Sequence, residues 1–373
     1  MKSGVRIAML ADQFSAYDAR LLKFTRGFRD MGADVAQFAF NSASCPIPKS
    51  YTSPSSKVLN ALPSLISNPI GYRRTMHVLF KQVTAFAPDV IYCGDILALN
   101  LAANLKAAHG IPLIYDAHEY FRQERLGDSK REAWVSKVES RNAASVDLFV
   151  TVNSSIGKLY EKLDVAFPKP VIVRNVTDLI GKPYKGELHR AAGLSETQNI
   201  LLYHGAVSSL RGLERLAAID PYLADHWSIV MMTTGDPSTY LGSGHQIKIL
   251  PPVPQSDLAT WVGGASLGSV MYSGGALNQV YCSPNKLWEY PFSGVPILGS
   301  DLPEISNMLG AYGCGLIIKE SDTAQCIAQK ISEISQSDMS RMKTGCASLK
   351  SGESWKKEWN TFISSFKLLE IAK

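Results

Sequence analysis

No glycine-rich G-x-G-x-x-G follows the first apolar run, which passes directly into Ala11-Asp12-Gln13-Phe14, so the nicotinamide and flavin fingerprint is missing. A Walker motif, a G-x-S-x-G elbow, an H-E-x-x-H zinc motif and any RNA-binding or helix-turn-helix signature are also missing. Hydrolase, zinc-protease and nucleic-acid readings therefore have no support. No apolar run approaches the roughly 18 residues of a spanning helix, and the start, MKSGVRIAML, enters a core strand at once, so neither a transmembrane segment nor a signal peptide is expected. Six cysteines, Cys45, Cys93, Cys282, Cys314, Cys326 and Cys346, form no C-x-x-C pair. That scatter indicates neither zinc nor a disulfide framework and fits a cytoplasmic location.

What is present is a globular composition. The 373 residues are 46% hydrophobic and 19% charged, without a low-complexity tract, which excludes disordered, collagenous and coiled-coil classes and suggests about two domains. The formal charge of +5 is uneven: residues 1–180 hold 22 Lys and Arg against 16 Asp and Glu, while residues 181–373 hold 16 against 17. A basic first half suits an anionic membrane surface, a phosphorylated substrate or nucleic acid, or is a solvated surface.

Short β-branched runs alternate with segments of helical period. Val5–Leu10, a helical stretch Asp18–Met31 and Val35–Phe40 open as βαβ. Strands follow at Val90–Tyr92, Pro112–Tyr115, Leu148–Val152 and Val171–Val173, with helices at Ile96–Ala108 and Lys130–Ala144. A polar stretch, Asp178–Gln198, is the expected linker, dividing the chain into domains 1–180 and 181–373. The second series of strands is Ile200–His204, Ser228–Thr233, Gln246–Leu250, Leu267–Met271, Val295–Leu298 and Gly315–Ile318. Such alternation predicts α/β domains, each a parallel sheet covered by helices and offering a ligand site at the carboxyl ends of its strands. Trp355, Trp359, Phe362, Phe366 and Leu369 line one face of a final helix, about 353–371, expected to pack back on the first domain. Arg73, Arg74 and Lys81, mixed with Tyr72, Met76, Leu79 and Phe80, outline a basic amphipathic face that either touches anionic lipid or is solvated.

The most informative segment is Tyr281-Cys282-Ser283-Pro284-Asn285-Lys286-Leu287-Trp288-Glu289-Tyr290. Ser283 as N-cap and Pro284 as first helical residue predict a helix start whose free N–H groups suit a phosphate, with Lys286 as an added cation. Asn285 and Glu289, four apart, share a face on which a carboxylate can accept the hydroxyls of a ribose. An ordinary capped helix with a solvated Glu289 is the competing reading.

This segment, followed by Ser293-Gly294-Val295-Pro296-Ile297-Leu298, resembles the donor-binding signature of retaining glycosyltransferases of the family-four type. Agreeing segments are Tyr17-Asp18-Ala19-Arg20 with Gly32-Ala33-Asp34-Val35, Tyr115-Asp116-Ala117-His118-Glu119, Val173-Arg174-Asn175-Val176, His204-Gly205 with Arg211-Gly212-Leu213, and Ile249-Leu250-Pro251-Pro252-Val253-Pro254. The resemblance implies the GT-B architecture, two Rossmann-like doubly wound domains facing across a cleft. It implies a hexosyl-type transfer from a nucleoside diphosphate sugar of UDP or GDP type, with no cofactor and no metal. Glu289 would hold the donor ribose, Arg211 and Lys286 the diphosphate, Gly205 would admit it to the backbone, and Ser283 and Asn285 would complete the donor site. His118, Arg211 and Lys286 are the implied catalytic residues, and Arg20, Asp116 and His118 the implied acceptor side.

The implied acceptor is a glycan or lipid-linked intermediate of polysaccharide or glycolipid biosynthesis, met at the inner face of a membrane. From the residues alone, a structural histidine is the favoured reading of His118, and Arg20 is equally a surface charge. Three positions depart from the family pattern: Tyr281 replaces a Glu eight residues before Glu289, Ala206 replaces an Arg after Gly205, and Pro291 interrupts the helix of Glu289. A nucleotide-sugar epimerase of the same build and a non-catalytic scaffold subunit are the alternatives.

Overall fold

The computed structural model describes residues 4–12, 18–40, 69–124, 127–208, 210–242 and 244–367. Gln13, Phe14, Tyr17, Cys45 and Leu369 lie outside them.

The chain forms two compact units, one of residues 1–174 with 356–373 and one of residues 175–355. The first contains β1 (Arg6–Ala11), α1 (Ala19–Asp30), β2 (Asp34–Ala39), α2 (Pro69–Phe86), β3 (Val90–Cys93), α3 (Ile96–His109), β4 (Leu113–Ala117), α4 (Ser129–Asn142), β5 (Leu148–Thr151), α5 (Ser154–Glu161) and β6 (Val171–Ile172). Its strands are all parallel, in the order β2-β1-β3-β4-β5-β6. Asp18 caps α1 and Asp95 caps α3 through their side chains, and Gly110, at φ +69°, closes α3 in the left-handed conformation that glycine adopts without strain.

The second unit contains α6 (Glu187–Ala192), β7 (Asn199–Ala206), α7 (Leu213–Ile219), β8 (Trp227–Thr234), β9 (Lys248–Leu250), α8 (Gln255–Val262), β10 (Leu267–Val270), α9 (Leu277–Val280), α10 (Lys286–Phe292), β11 (Ile297–Ser300), α11 (Pro303–Tyr312), β12 (Gly315–Ile318), α12 (Ala324–Ser332) and α13 (Gln336–Gly352). Its parallel strands run β12-β11-β10-β7-β8-β9. The order reverses at β7 and β10, so a ligand crevice is expected outside the carboxyl ends of those two strands. Alternation along β7 and β8 divides the core. Ile200, Leu202, Val230 and Met232 face one layer of helices, and Leu201, Tyr203, Ile229 and Met231 the other.

One expectation shifts. The stretch 178–198 is no linker: it lies in the second unit, where α6 buries Leu188 and Ala192 in the core. A six-residue helix is too short to show a sustained apolar period. The last helix, α14 (Trp355–Lys367), packs on α1 of the first unit. Phe362 stands edge-on to Phe24 and Phe28, at 5.0 and 5.7 Å between ring centres, and Trp359 stands edge-on to the same pair. Gly27 makes room, since a Cβ there would lie 2.6 Å from the indole of Trp359. Glu358 accepts from the Arg174 backbone N–H at 2.7 Å and pairs with its guanidinium, fixing the end of the first unit's main segment to the returning helix.

Among the described residues, no helix is long and apolar enough to cross a membrane. On α2 the exposed side chains include Ile70, Arg73, Arg74, His77, Val78 and Lys81, and the helix contains no acidic residue.

Candidate functional site

The carboxyl end of β7 carries the first site residue. Gly205 adopts φ +123°, which a side chain would strain, and a Cβ there would lie 3.3 Å from Lys286 Nζ and 3.9 Å from Arg211 Nη1. Lys286, some 80 residues on in the sequence, thus meets Arg211 at one bare patch of backbone. The turn that brings Arg211 there depends on Gly212, at φ +76°, where a Cβ would fall 1.9 Å from the Met271 carbonyl oxygen just beyond β10.

Lys286 opens α10 and is buried, with 5% exposure. Its ammonium lies 4.1 Å from the centre of the Tyr203 ring and 5.7 Å from that of Tyr272, and Nζ has no hydrogen-bond partner among the described residues. Burial, reinforced by the neighbouring Arg211 charge, pulls its pKa down to about 7. A buried donor left without an acceptor costs free energy. An anion at Gly205 would remove that cost and restore full protonation.

One turn along α10, Glu289 is also buried. Its Oε1 accepts from Gln255 Nε2 at 3.5 Å and its Oε2 lies 3.6 Å from His204 Nε2. Gln255 begins α8, directly after Pro251-Pro252-Val253-Pro254, the segment expected beside the base. Burial and the Lys286 charge hold the His204 pKa down to about 3, which keeps its imidazole neutral. Tyr290 anchors the helix from below, with its hydroxyl donating to the Leu202 carbonyl at 2.7 Å. Its ring covers Gly268, where a Cβ would lie 2.3 Å from it.

The predicted helix start is corrected. The helix begins at Lys286 with Asn285 as N-cap, and Ser283 and Pro284 precede it outside the helix. The cause is a tertiary contact: Asn175 Nδ2 donates to the Ser283 carbonyl oxygen at 3.0 Å, 108 residues away in sequence. Asn285 Oδ1 is buried without a hydrogen-bond partner among the described residues. The helix is seven residues long and contains Pro291, in keeping with the shortening expected there. Ala206 is exposed and adds no charge beside Gly205.

In the first unit, Arg20 and Asp116 are drawn together from α1 and β4, but not at a surface. Arg20 Nε and Nη2 donate to Asp116 Oδ2 and Oδ1 at 2.7 and 2.8 Å, and Nη1 donates to the Val173 carbonyl at 2.8 Å. The Tyr92 hydroxyl also donates to Asp116, and both charged side chains are buried, at 4% and 0% exposure. This bidentate pair ties β3, β4 and the chain just past β6 to α1, so the two residues expected on the acceptor side also make a buried structural contact.

His118, just past β4, is half-buried, with its ring edge-on to Phe121 at 5.4 Å and its Nδ1 without a hydrogen-bond partner among the described residues. Nearby, burial and the Asp12 carboxylate push Asp95 up to about 7, while His118 opposes that shift. His118 thus remains at the carboxyl edge of the first sheet, where a ligand can be met. Sequence reasoning missed His204, Gln255, Tyr203 and Tyr272, which build the walls around Lys286 and Glu289. Only His204 stood inside a motif that had been singled out. Among the described residues, no group of three or more His, Cys, Asp or Glu is placed to hold a metal ion.

Residues 5–175 match the family described as glycosyl transferase 4-like domain. No curated protein sequence matches the chain. Solved structures do, at low identity. Sucrose-phosphate synthase from Thermosynechococcus elongatus superposes with a TM-score of 0.76 at 14% identity over 99% of this chain and 100% of its own. HepE from Anabaena, solved with UDP and glucose, gives 0.76 at 12% over 97% and 99%. MnaA from S. aureus, solved with UDP, gives 0.59 at 12% over 91% of each chain. Residues 5–175 are thus similar to a glycosyl transferase 4-like domain, and the chain as a whole has the two-domain GT-B fold of these structures.

Proposed function

We propose that the chain is a retaining glycosyltransferase that takes a hexose from a UDP- or GDP-sugar held by its second unit. The observation that carries this reading is Lys286 Nζ, buried and without a hydrogen-bond partner among the described residues, facing Gly205 beside Arg211. Such a placement suits an anion that arrives with the substrate. Glu289, one turn further on, lies where a ribose carboxylate is needed. HepE, of the same fold, was solved with UDP-glucose, which supports a nucleotide sugar as the donor class.

In the proposed reaction the anomeric bond to the diphosphate oxygen breaks and the acceptor oxygen bonds to the same face of that carbon. The acceptor proton passes to the leaving phosphate. Lys286 and Arg211 stabilise the negative charge that develops there, which is the main catalytic task. His118 keeps the sugar contact implied by the resemblance. The acceptor is a glycan or lipid-linked intermediate, and the acid-free exposed face of α2 suits an anionic membrane at the cytoplasmic side. Sedimentation with anionic vesicles should show binding that weakens as salt rises; binding to neutral vesicles alone would contradict that contact.

The donor reading is tested by thermal shift against UDP, GDP and NAD. A nucleoside diphosphate at about 100 times its dissociation constant should stabilise the protein by about 2.7 kcal/mol, and Glu289→Ala should lose most of that. A shift with NAD and none with UDP or GDP would overturn the reading. With donor and candidate acceptors, a glycosylated product is expected. Conversion of the sugar nucleotide without an acceptor would instead indicate an epimerase.

A further inference from the structure

The carboxylate of Glu289 has a neighbour on each oxygen, and the two neighbours differ. Gln255 Nε2 donates to Oε1 at 3.5 Å, while His204 Nε2 stands 3.6 Å from Oε2, just beyond hydrogen-bond distance and without any other hydrogen-bond partner among the described residues. His204 sits at the end of β7, next to Gly205, with 6% exposure and its ring edge-on to Tyr290 at 4.9 Å. In the tautomer that carries its proton on Nε2, the buried imidazole has the Glu289 carboxylate in front of it to donate to.

We propose that His204 is a positioning residue for the donor ribose: its Nε2–H closes on Glu289 Oε2 when the ribose binds and fixes the carboxylate plane for the two hydroxyls. The inference rests on the donor reading above and adds a residue to it. The charges facing His204 explain why a histidine serves. Lys286, on the same helix as Glu289, opposes protonation of the imidazole. A neutral ring orients the carboxylate without cancelling its charge, so Glu289 stays a strong acceptor for the ribose. A cationic ring would compete with the ribose for the same oxygen. Gln255 holds the other oxygen from α8, so each carboxylate oxygen has a neighbour that can help orient it.

The test compares UDP with 2′,3′-dideoxy-UDP, which lacks both ribose hydroxyls, on the full chain by calorimetry. Wild type should prefer UDP strongly, and Glu289→Ala should bring the preference close to one. His204→Phe keeps the ring on Tyr290 and removes Nε2. It should weaken UDP about tenfold and leave the dideoxy analogue unchanged, because the lost hydrogen bond acts only through the hydroxyls. His204→Gln, which restores a donor, should recover most of the preference. The proposal fails if His204→Phe weakens both ligands equally or neither, which would mark a purely structural role. Should wild type bind the two ligands equally, the ribose role of Glu289 itself fails, an outcome distinct from the former because it needs no variant.

Discussion

Lys286→Met should raise the thermal midpoint of the empty protein and remove most of its stabilisation by UDP. Both effects follow from one placement. The ammonium is buried over Tyr203 with no hydrogen-bond partner among the described residues, and its pKa stands at about 7. Because that is below the unfolded value near 10.4, the folded state binds fewer protons between about pH 7 and 10.5, so empty-protein stability rises with pH across that window. Below pH 7 the full penalty of a buried charge is present. A methionine of similar length avoids the penalty and still packs against the ring. The gain should be about 2 kcal/mol at neutral pH, or roughly 4–8 °C for a domain of this size.

UDP works in the opposite direction. A diphosphate raises the pKa of Lys286, so binding takes up a proton at pH values above the free pKa, and affinity should be level below pH 7 and fall above it. Lys286→Met should lose about 10- to 100-fold in UDP affinity, the worth of one charge-assisted hydrogen bond, and should flatten the pH profile. Unchanged stability together with unchanged affinity would mean that Lys286 belongs to the core alone. A residue that lowers the stability of the empty fold and is kept at a ligand crevice is the usual signature of function.

Asp116→Ala should destabilise the first unit by about 3–5 kcal/mol, since it strands the buried Arg20 guanidinium and the Tyr92 hydroxyl together. Chemical denaturation would show this as a lower midpoint with an unchanged slope. Replacing the set by apolar groups, Arg20→Met with Asp116→Leu and Tyr92→Phe, should recover most of the loss, because no buried charge then remains unpaired. Nucleotide binding by the second unit should survive. A variant that kept its stability and lost only its affinity for acceptor would assign the acceptor role to this pair.

The strands were legible because buried parallel strands are short β-branched runs, and β1, β3, β7 and β12 fall within about two residues of their expected limits. The conjunction of Gly205, Arg211, Lys286 and Glu289 was legible only through a resemblance of motifs, since nothing in their spacing brings residues 205 and 286 together. What stayed hidden depended on partners far away in sequence. Asn175 holds the Ser283 carbonyl and delays the helix start to Lys286. Arg20 finds Asp116 across 96 residues and is thereby removed from the surface. The segment 178–198 looked like a linker because Leu188 and Ala192 of α6, buried against the core of the second unit, are too few to make a period. His204 was quoted beside its glycine without a role, because its neutrality follows from burial and from Lys286, neither visible in a motif.

The most direct measurement of the central claim is a crystal structure of the protein with UDP. Diphosphate oxygens should lie within hydrogen-bond distance of Lys286 Nζ at the Gly205 backbone, with Arg211 beside them and the ribose hydroxyls on Glu289. A nucleotide bound elsewhere, or one that leaves Lys286 over Tyr203 without a phosphate contact, would contradict the account.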